Sequence, residues 1–417
     1  MNTILRNATP PQLEAAIAQN HCDLFFLDAR IKNGVIHTEE GLSWTYVGAE
    51  SSGTILFPAL SGDTAKLNEM MEYYRTHPSK NLGCWSLNPP ATAQLDVLLL
   101  ARGFQPGWQP CWMALELQNI NAAYAAPEGL HIAPDNATPL HTIKALPYAE
   151  NNNRGTTGLQ NESPELVQRF VATLHGRIVA QTLLLFGGGV AGIYNVGVVP
   201  EARGRGIGKA IVNAACIHAR EKGYHYATLN ANPMGRPIYE QLGFQWINDG
   251  VTWWITDDRL QTRPPDAEQI ALAEAVGKGD MTALQAFAGA DLHAPLCNGM
   301  RLLEVAVHCQ QPAAAEWLIA HGVACGALEA WNLGWKDRAA AILAQNQEEV
   351  NRLYGDFQYT LLHAAIEKND IALAQLALSA HPNLEIKDAI HDGDPLGWAE
   401  YLHREEIGDM IKAYKSA

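Results

Sequence analysis

Residues Tyr194–Gly208 have the sequence YNVGVVPEARGRGIG. The apolar first half is typical of a buried strand, which Pro200 ends, and a helical pattern begins at Lys209. The turn between them carries three glycines within the five residues Gly204–Gly208. Such a turn, placed between a strand and a helix, aims several backbone N–H groups at one anion and lets a phosphate approach without meeting a Cβ atom. The stretch therefore predicts a phosphate-binding turn.

The spacing of these glycines differs from that of the common nucleotide-binding fingerprints. A P-loop needs serine or threonine after its lysine, and here Ala210 follows Lys209. The dinucleotide fingerprint G-x-G-x-x-G does not fit either, because the glycines alternate with other residues. The pattern that fits is R-x-x-G-x-G, formed by Arg203, Gly206 and Gly208.

A second motif follows at Ile238–Phe244, where the sequence IYEQLGF predicts a short helix that ends at a glycine. Together the two motifs resemble the GNAT superfamily of N-acetyltransferases. The resemblance covers about Gly129–Ile255 and is strongest over Ile193–Phe244. It implies an α/β (α+β) acyl-CoA N-acyltransferase fold, with acetyl-CoA as the co-substrate and no metal.

The resemblance also implies where the coenzyme binds. Backbone groups of the strand would pair with the pantetheine arm, the N–H groups of the turn would hold the pyrophosphate, and two asparagines would border the coenzyme. The implied coenzyme-binding residues are Val196, Gly197, Val198, Arg203, Gly204, Arg205, Gly206, Ile207, Gly208, Lys209, Asn230 and Asn232. The side chains of Arg203 and Arg205 could equally be solvated, since the backbone supplies the contacts.

Tyr239 is the predicted catalytic residue, because it occupies the position at which the superfamily places a proton donor to the departing thiolate. A thiolate with a pKa of about 8.5 is helped by a hydrogen bond from a phenol even without full proton transfer. The alternative is a half-buried helix residue whose hydroxyl reaches the surface.

No general base is evident near the predicted strand. An alkyl amine of pKa ~10.4 requires about 4–5 kcal/mol for deprotonation at pH 7, and an α-amine of pKa ~7.7 about 1 kcal/mol. Glu150 and Glu162 are the nearest acidic candidates, although each could be a surface carboxylate. Water relayed through Asn195 is equally consistent with the sequence.

The sequence of residues 1–124 predicts an α/β domain, with an opening helix around Pro11–Gln19 and a first strand at Leu24–Leu27. The order of its elements resembles a second, degenerate acetyltransferase domain. However, the turn Ala59–Asp63 has one glycine, no arginine and an aspartate that would repel a phosphate, which implies that coenzyme binding is lost. An unrelated α/β cap is the alternative. The catalytic domain is predicted at 125–260, with a short helix at Leu140–Tyr148.

Residues 261–417 lose the strand signals and alternate helical pieces with turns. The sequence TLLHAA at Thr360–Ala365 is close to the ankyrin signature T-P-L-H-x-A, and DPLGWA repeats it 34 residues later from Asp394. We therefore predict an all-α ankyrin-repeat solenoid of about five repeats, which binds a protein partner or packs on its neighbour.

Composition narrows the choice of partners. The 417 residues carry a net charge of −15, which disfavours nucleic acid and an anionic membrane and suits a cationic substrate, although an acidic surface also serves solubility alone. The seven cysteines are scattered along the chain, which is typical of a protein in a reducing cytoplasm. The sequence contains no run of 18 apolar residues, so it predicts no membrane span. The spacing of the histidines does not match that of metal ligands. Trp85, Trp108, Trp112, Trp253 and Trp254 indicate an aromatic surface or ordinary core packing.

The sequence thus predicts a multidomain N-acetyltransferase that acts on a small cationic or amine-bearing molecule, in detoxification or antibiotic resistance, by direct attack in a ternary complex. One alternative is a protein acetyltransferase whose ankyrin repeats recruit the target. Another is a non-catalytic protein that binds acyl-CoA as a ligand.

Overall fold

The computed structural model describes residues 3–62, 64–121, 124, 126–149, 163–232, 235–256, 260, 266–355 and 358–416. The chain divides into two compact units, each built from two segments. The first unit comprises Met1–Leu95 and Gln105–Gln261, and the second comprises Asp96–Phe104 and Thr262–Ala417. The three-part division with boundaries after 124 and 260 stays a prediction.

The first unit is an α/β fold built around one large sheet. Its strands are β1 (Val35–Glu39), β2 (Leu42–Tyr46), β3 (Ser52–Leu56), β4 (Asn81–Asn88), β5 (Gln105–Pro106), β6 (Cys111–Glu116), β7 (Leu130–Pro134), β8 (Val167–Leu174), β9 (Arg177–Gly187), β10 (Val190–Val198), β11 (Tyr226–Ala231) and β12 (Gln245–Thr256). Its helices are α1 (Pro10–Ile31), α2 (Ala65–Thr76), α4 (Ile207–Glu221) and α5 (Arg236–Glu240). Between them α3 (Leu95–Ala101) leads into the second unit.

Strands from the two halves of this unit alternate within the sheet. The order is β1-β2-β3-β4-β12-β6-β11-β10-β9-β8-β7, and β5 also pairs with β12. β6 pairs with β11 along one edge and with β12 along the other. The second half of β12, Asp249–Thr256, pairs in turn with β4. The strand that precedes residue 124 is therefore an internal member of the sheet that carries the predicted coenzyme strand.

The two faces of the sheet are covered by different helices. The apolar side chains of α4 that recur every four residues, from Ile207 to Ala219, are buried against one face, as their spacing predicts. α1 covers the opposite face, with Leu13 and Ala16 packed on Val190 and Ala114.

Two elements differ from the sequence-based prediction. Leu24–Leu27 is not a strand but part of the long helix α1. Its four consecutive apolar side chains are all at least partly buried, because Leu24 and Leu27 pack in one hydrophobic cluster and Phe25 and Phe26 pack in another. A continuous apolar run of this kind is compatible with either element. Leu140–Tyr148 forms successive turns instead of a helix, because Pro139 and Pro147 limit its length.

The second unit consists of helices. After α3 they are α6 (Ala267–Lys278), α7 (Met281–Gln285), α8 (Leu302–His308), α9 (Pro312–Ala320), α10 (Ala327–Asn332), α11 (Lys336–Gln345), α12 (Leu361–Lys368), α13 (Ile371–Ser379), α14 (Pro395–Tyr401) and α15 (Glu405–Ser416). Within the described part of the unit these ten follow one another in five pairs of neighbours. Arg102, at the end of α3, is buried and donates to the Glu274 carboxylate of α6 over 2.9 Å.

Candidate coenzyme and acceptor site

The predicted coenzyme strand and its parallel neighbour separate at their carboxyl ends. β10 and β11 pair only at Ala191–Ala227 and Gly192–Thr228. Beyond these pairs β10 continues on β9, and β11 continues on β6 as far as Ala231. The result is a cleft between Ile193–Val198 and Leu229–Ala231, in which the facing strand edges can pair with an extended ligand.

An irregularity of β10 lies inside this cleft. The register with β9 shifts between Tyr194 and Gly197, and Asn195 between them has a φ of 53°. A Cβ atom on Gly197 would lie 2.7 Å from the Pro147 carbonyl oxygen, so glycine is needed for the close approach of that segment. Gln181 Nε2 donates to the same oxygen over 2.7 Å and fixes it.

The glycine-rich turn stands at the end of this strand with its amides available. Gly204 and Gly206 have φ values of 72° and 78°, and Gly206 is the N-cap of α4. The Ala210 N–H donates to the Gly206 carbonyl, but within the described ranges the N–H groups of Gly204–Lys209 have no protein acceptor. Ile207 is buried and anchors the turn. Unpaired amides at the start of a helix fit an anion of the size of a pyrophosphate.

The basic side chains of the turn are oriented differently from one another. Arg203 Nε donates to the Val198 carbonyl over 3.2 Å, and the Lys209 ammonium contacts Gln241 Oε1. Arg205 is exposed. That the backbone supplies the contacts to the coenzyme stays a prediction; the side chains of Arg203 and Arg205 are both exposed.

The two predicted asparagines occupy distinct environments. Asn230 is opposite Trp112 in the β11–β6 pair and therefore shares its face of the sheet. Asn232 lies just after β11, and its Oδ1 accepts from the Gly235 N–H over 2.7 Å. Its oxygen is thus used in the turn that leads into α5.

Tyr239 lies on α5, half-buried against the core that α4 covers, with its ring 6.0 Å from the Phe244 ring. Burial, and to a smaller extent the nearby Tyr148 phenol, raises the pKa of Tyr239 to about 12. The hydroxyl therefore stays protonated throughout the neutral range and can act as a hydrogen-bond donor.

The candidates for the base are only partly described. Glu150 and Glu162 lie outside the described residues, so the structure does not place them. Asn195 is half-buried in the irregular part of β10.

The structure brings to the site residues that no sequence motif marks. Asn20 on α1 is fully buried, and its Nδ2 donates to the Gly187 carbonyl over 2.9 Å. The Tyr194 hydroxyl donates to Asn20 Oδ1 over 2.7 Å. The neighbouring imidazole, His21, stacks on Tyr194 with ring centroids 5.8 Å apart. No local signal predicts these contacts, since α1 lies about 170 residues before β10 in the chain.

Comparison with known proteins identifies this arrangement. The family model described as "Acetyltransferase (GNAT) family" matches residues 137–244. The glucosamine 6-phosphate N-acetyltransferase of Trypanosoma brucei brucei is 36% identical over 112 residues, which make up 25% of this chain and 76% of that protein. The chain belongs to the GNAT acetyltransferase family. It is an acetyl-CoA-dependent N-acetyltransferase.

Other members of the GNAT family match over shorter or more divergent stretches. A mycothiol acetyltransferase of Saccharomonospora viridis is 36% identical over 72 residues, which cover 16% of this chain and 24% of that enzyme. A solved GCN5-related N-acetyltransferase from Kribbella flavida covers 58% of this chain and 94% of its own, at 18% identity and a TM-score of 0.47. Among the helices in the described ranges, none combines the length and apolar character needed to cross a bilayer.

Proposed function

We propose that this enzyme acetylates the amine of a small molecule that is cationic at neutral pH, using the cleft between β10 and β11. The observation that carries the proposal is the set of amides at Gly204–Lys209, which have no acceptor in the described protein and stand at the open end of the cleft. A pyrophosphate there leaves the pantetheine arm free to extend along Val196–Val198, with Asn230 and Asn232 at its border. Arg203 and Arg205 add positive charge near the pyrophosphate.

Tyr239 is the proposed donor to the departing thiolate. Its raised pKa keeps the phenol protonated, and a hydrogen bond to the sulfur stabilises the charge that develops as the amine attacks. The reaction is a direct transfer: the N–C bond forms, the C–S bond breaks, and the amine proton passes to solvent or to a base.

The net charge of the chain and the names of its relatives support a small amine as the acceptor. The net charge of −15 favours a cationic molecule. The relatives described above are named for small-molecule acetylation, of glucosamine 6-phosphate in one and of mycothiol in the other. We place the activity in the cytoplasm, because the seven cysteines, all within the described ranges, are thiols outside any disulfide, and we propose detoxification as its purpose.

We further propose that the first half of the chain is a degenerate acetyltransferase copy. It contains a parallel pair, β3 and β4, joined by α2, as β10 and β11 are joined by α4. Its turn has used some of its amides within the protein: the Leu60 N–H donates to Thr92 Oγ1, and the Ala59 N–H donates to the Gly41 carbonyl. One coenzyme per chain is therefore expected.

For the second unit we propose an ankyrin-type array. The Thr360 hydroxyl contacts His363 Nδ1 over 2.9 Å, and His363 Nε2 contacts the Gly393 carbonyl over 3.1 Å, which ties one helix pair to the turn before the next. Protein acetylation with a target recruited by this array is the second candidate function.

Release of free coenzyme thiol with a panel of amines tests the proposed function. Tyr239→Phe should lower kcat by about 100-fold with an unchanged KM for acetyl-CoA, because only the hydrogen bond to the departing sulfur is lost. Tyr401→Phe, at an exposed position in the second unit, is the matched control. Unchanged turnover in Y239F would refute the acid role.

The same assay separates the alternative functions. Thiol release with lysate proteins but with no free amine would indicate a protein acetyltransferase. Binding of acetyl-CoA without thiol release from any amine or protein would indicate a non-catalytic acyl-CoA-binding protein.

A further inference from the structure

The His21 imidazole is buried without a hydrogen-bond partner. It is 3% exposed, and neither Nδ1 nor Nε2 has an acceptor or donor within reach in the described protein. A buried polar group without a partner is destabilising, and native proteins retain few of them. Burial lowers the pKa of His21 to about 3, so the ring is neutral and offers one N–H donor and one lone pair.

Aromatic rings surround this imidazole. The centroids of Trp85, Phe25 and Trp112 lie 4.4, 5.1 and 5.2 Å from it. Trp108 meets Trp85 edge to face at 5.9 Å and is 39% exposed, so it forms the solvent-facing side of the group. We call these five residues the aromatic cluster.

Strand register relates the cluster to the cleft. Tyr194, on which His21 stacks, belongs to β10, and Trp112 belongs to β6 on the far side of β11. Asn230 of β11 is directly opposite Trp112 and on its face of the sheet. The imidazole therefore lies on that face where β10 and β11 have separated. The face is opposite the one that α4 covers, so an acceptor bound on it would not compete with the pyrophosphate turn.

The helix that carries His21 is firmly held at this point. Asn20, the preceding residue, donates to the Gly187 carbonyl and accepts from the Tyr194 hydroxyl. Gly192 makes room for it, since a Cβ there would lie 2.0 Å from Asn20 Oδ1. The position of the imidazole is thus fixed relative to β10.

We propose that His21 is an acceptor-binding residue, whose imidazole hydrogen-bonds to an amine substrate that the aromatic cluster holds at the floor of the cleft. The proposal rests on the proposed function and narrows its substrate class. Flat aromatic walls favour an amine on an aromatic or apolar body and attract its ammonium form. The cluster itself includes no lysine or arginine, so it offers no cationic side chain to a phosphate-bearing acceptor.

Thiol release with 2-phenylethylamine, tryptamine and glucosamine 6-phosphate tests this proposal. The aryl amines should give the higher kcat/KM. His21→Phe should lower kcat/KM for them by about 10–100-fold, the equivalent of a lost buried hydrogen bond, with the KM for acetyl-CoA unchanged. Its melting temperature should not fall, because the variant also removes an unpartnered polar group.

Two further variants distinguish binding from packing. Leu27→Ala, on the same helix but packed on Val167 and Leu183, should lower the melting temperature and keep kcat/KM. His21→Gln keeps a donor and an acceptor and should retain more turnover than H21F. Equal losses in H21Q and H21F, or full activity in H21F, would overturn the proposal alone. Failure of the wild-type enzyme to release thiol with any amine would overturn the proposed function and this inference with it.

Discussion

Gly206 has a left-handed backbone conformation and lies in the proposed pyrophosphate site. Its φ is 78°, and the nearest atom to a Cβ there would be the Tyr124 hydroxyl at 3.7 Å. Gly206→Ala should therefore destabilise the fold by only about 1 kcal/mol, through backbone strain. The added methyl group would also enter the space of the ligand, so the Kd for acetyl-CoA should rise about tenfold, measured by titration calorimetry.

Gly223 provides the matched control, because it lies just beyond the opposite end of α4 with a φ of 88° and nothing within 4 Å of a Cβ. G223A should lose a similar amount of stability and bind acetyl-CoA as the wild type does. Equal affinities of G206A and G223A would argue against a pyrophosphate at this turn.

The pKa of Tyr239 leads to a prediction about alkaline pH. An ordinary tyrosine ionises at about pH 10, whereas Tyr239 is raised to about 12 by burial. Folding thus favours the protonated phenol, a contribution to stability that is complete below about pH 10 and is lost as the pH rises through 12. The donor role should cause no fall in kcat up to about pH 11 in pH–rate profiles. A fall in kcat near pH 9 that the wild type shows and Y239F lacks would contradict the raised pKa of Tyr239.

At the scale of elements, an ion pair joins the buried Arg102, just after α3, to the partly buried Glu274 of α6. Although burial by itself raises the pKa of Glu274, hydrogen bonds from Lys278 and Arg102 outweigh it, and the pKa is lowered. Glu274→Gln should lower the free energy of unfolding by about 2 kcal/mol, because the buried Arg102 guanidinium loses its anionic partner. The contribution of Glu274 is present above about pH 4.3 and is lost as the pH falls through the lowered pKa, a dependence that E274Q should lack.

Glu316→Gln is the comparison for this measurement in urea unfolding. Glu316 pairs with Arg338 over 2.9 Å, but its side chain is 57% exposed, so its removal should change stability by less than about 0.5 kcal/mol. Equal effects of the two substitutions would show that burial adds nothing to the Arg102–Glu274 pair.

Elements also show what the sequence could predict. The path from β10 through the glycine turn to α4, β11 and α5 is encoded by neighbouring residues, and the structure has these elements in that order, although α5 ends at Glu240, before the predicted glycine. At Leu24–Leu27 the sequence predicts a strand and the structure has helix α1, because a run of four apolar residues does not distinguish a helix from a strand. The contacts of Asn20 and His21 with Tyr194 depend on tertiary packing over a long stretch of chain, which no motif reports.

At the scale of the molecule, the insertion of β6 makes the first 124 residues part of the catalytic sheet. A chain that begins at residue 125 lacks the strand that pairs with both β11 and β12, so we expect it to release no thiol and to be poorly folded. Supplying residues 1–124 as a separate polypeptide should restore turnover. An active, cooperatively folded chain from residue 125 onward would contradict this dependence.

Because the strands are interleaved, β6 is synthesised on the ribosome long before its partner β12. β6 ends at Glu116, and β12, the partner that completes its pairing, ends at Thr256. At about 5–20 residues per second the ribosome needs on the order of ten seconds or more to make the intervening chain. During that interval the apolar Cys111–Leu115 strand has an unpaired edge. We therefore expect the nascent chain to be most prone to aggregation, and most dependent on chaperones, before β12 has been synthesised.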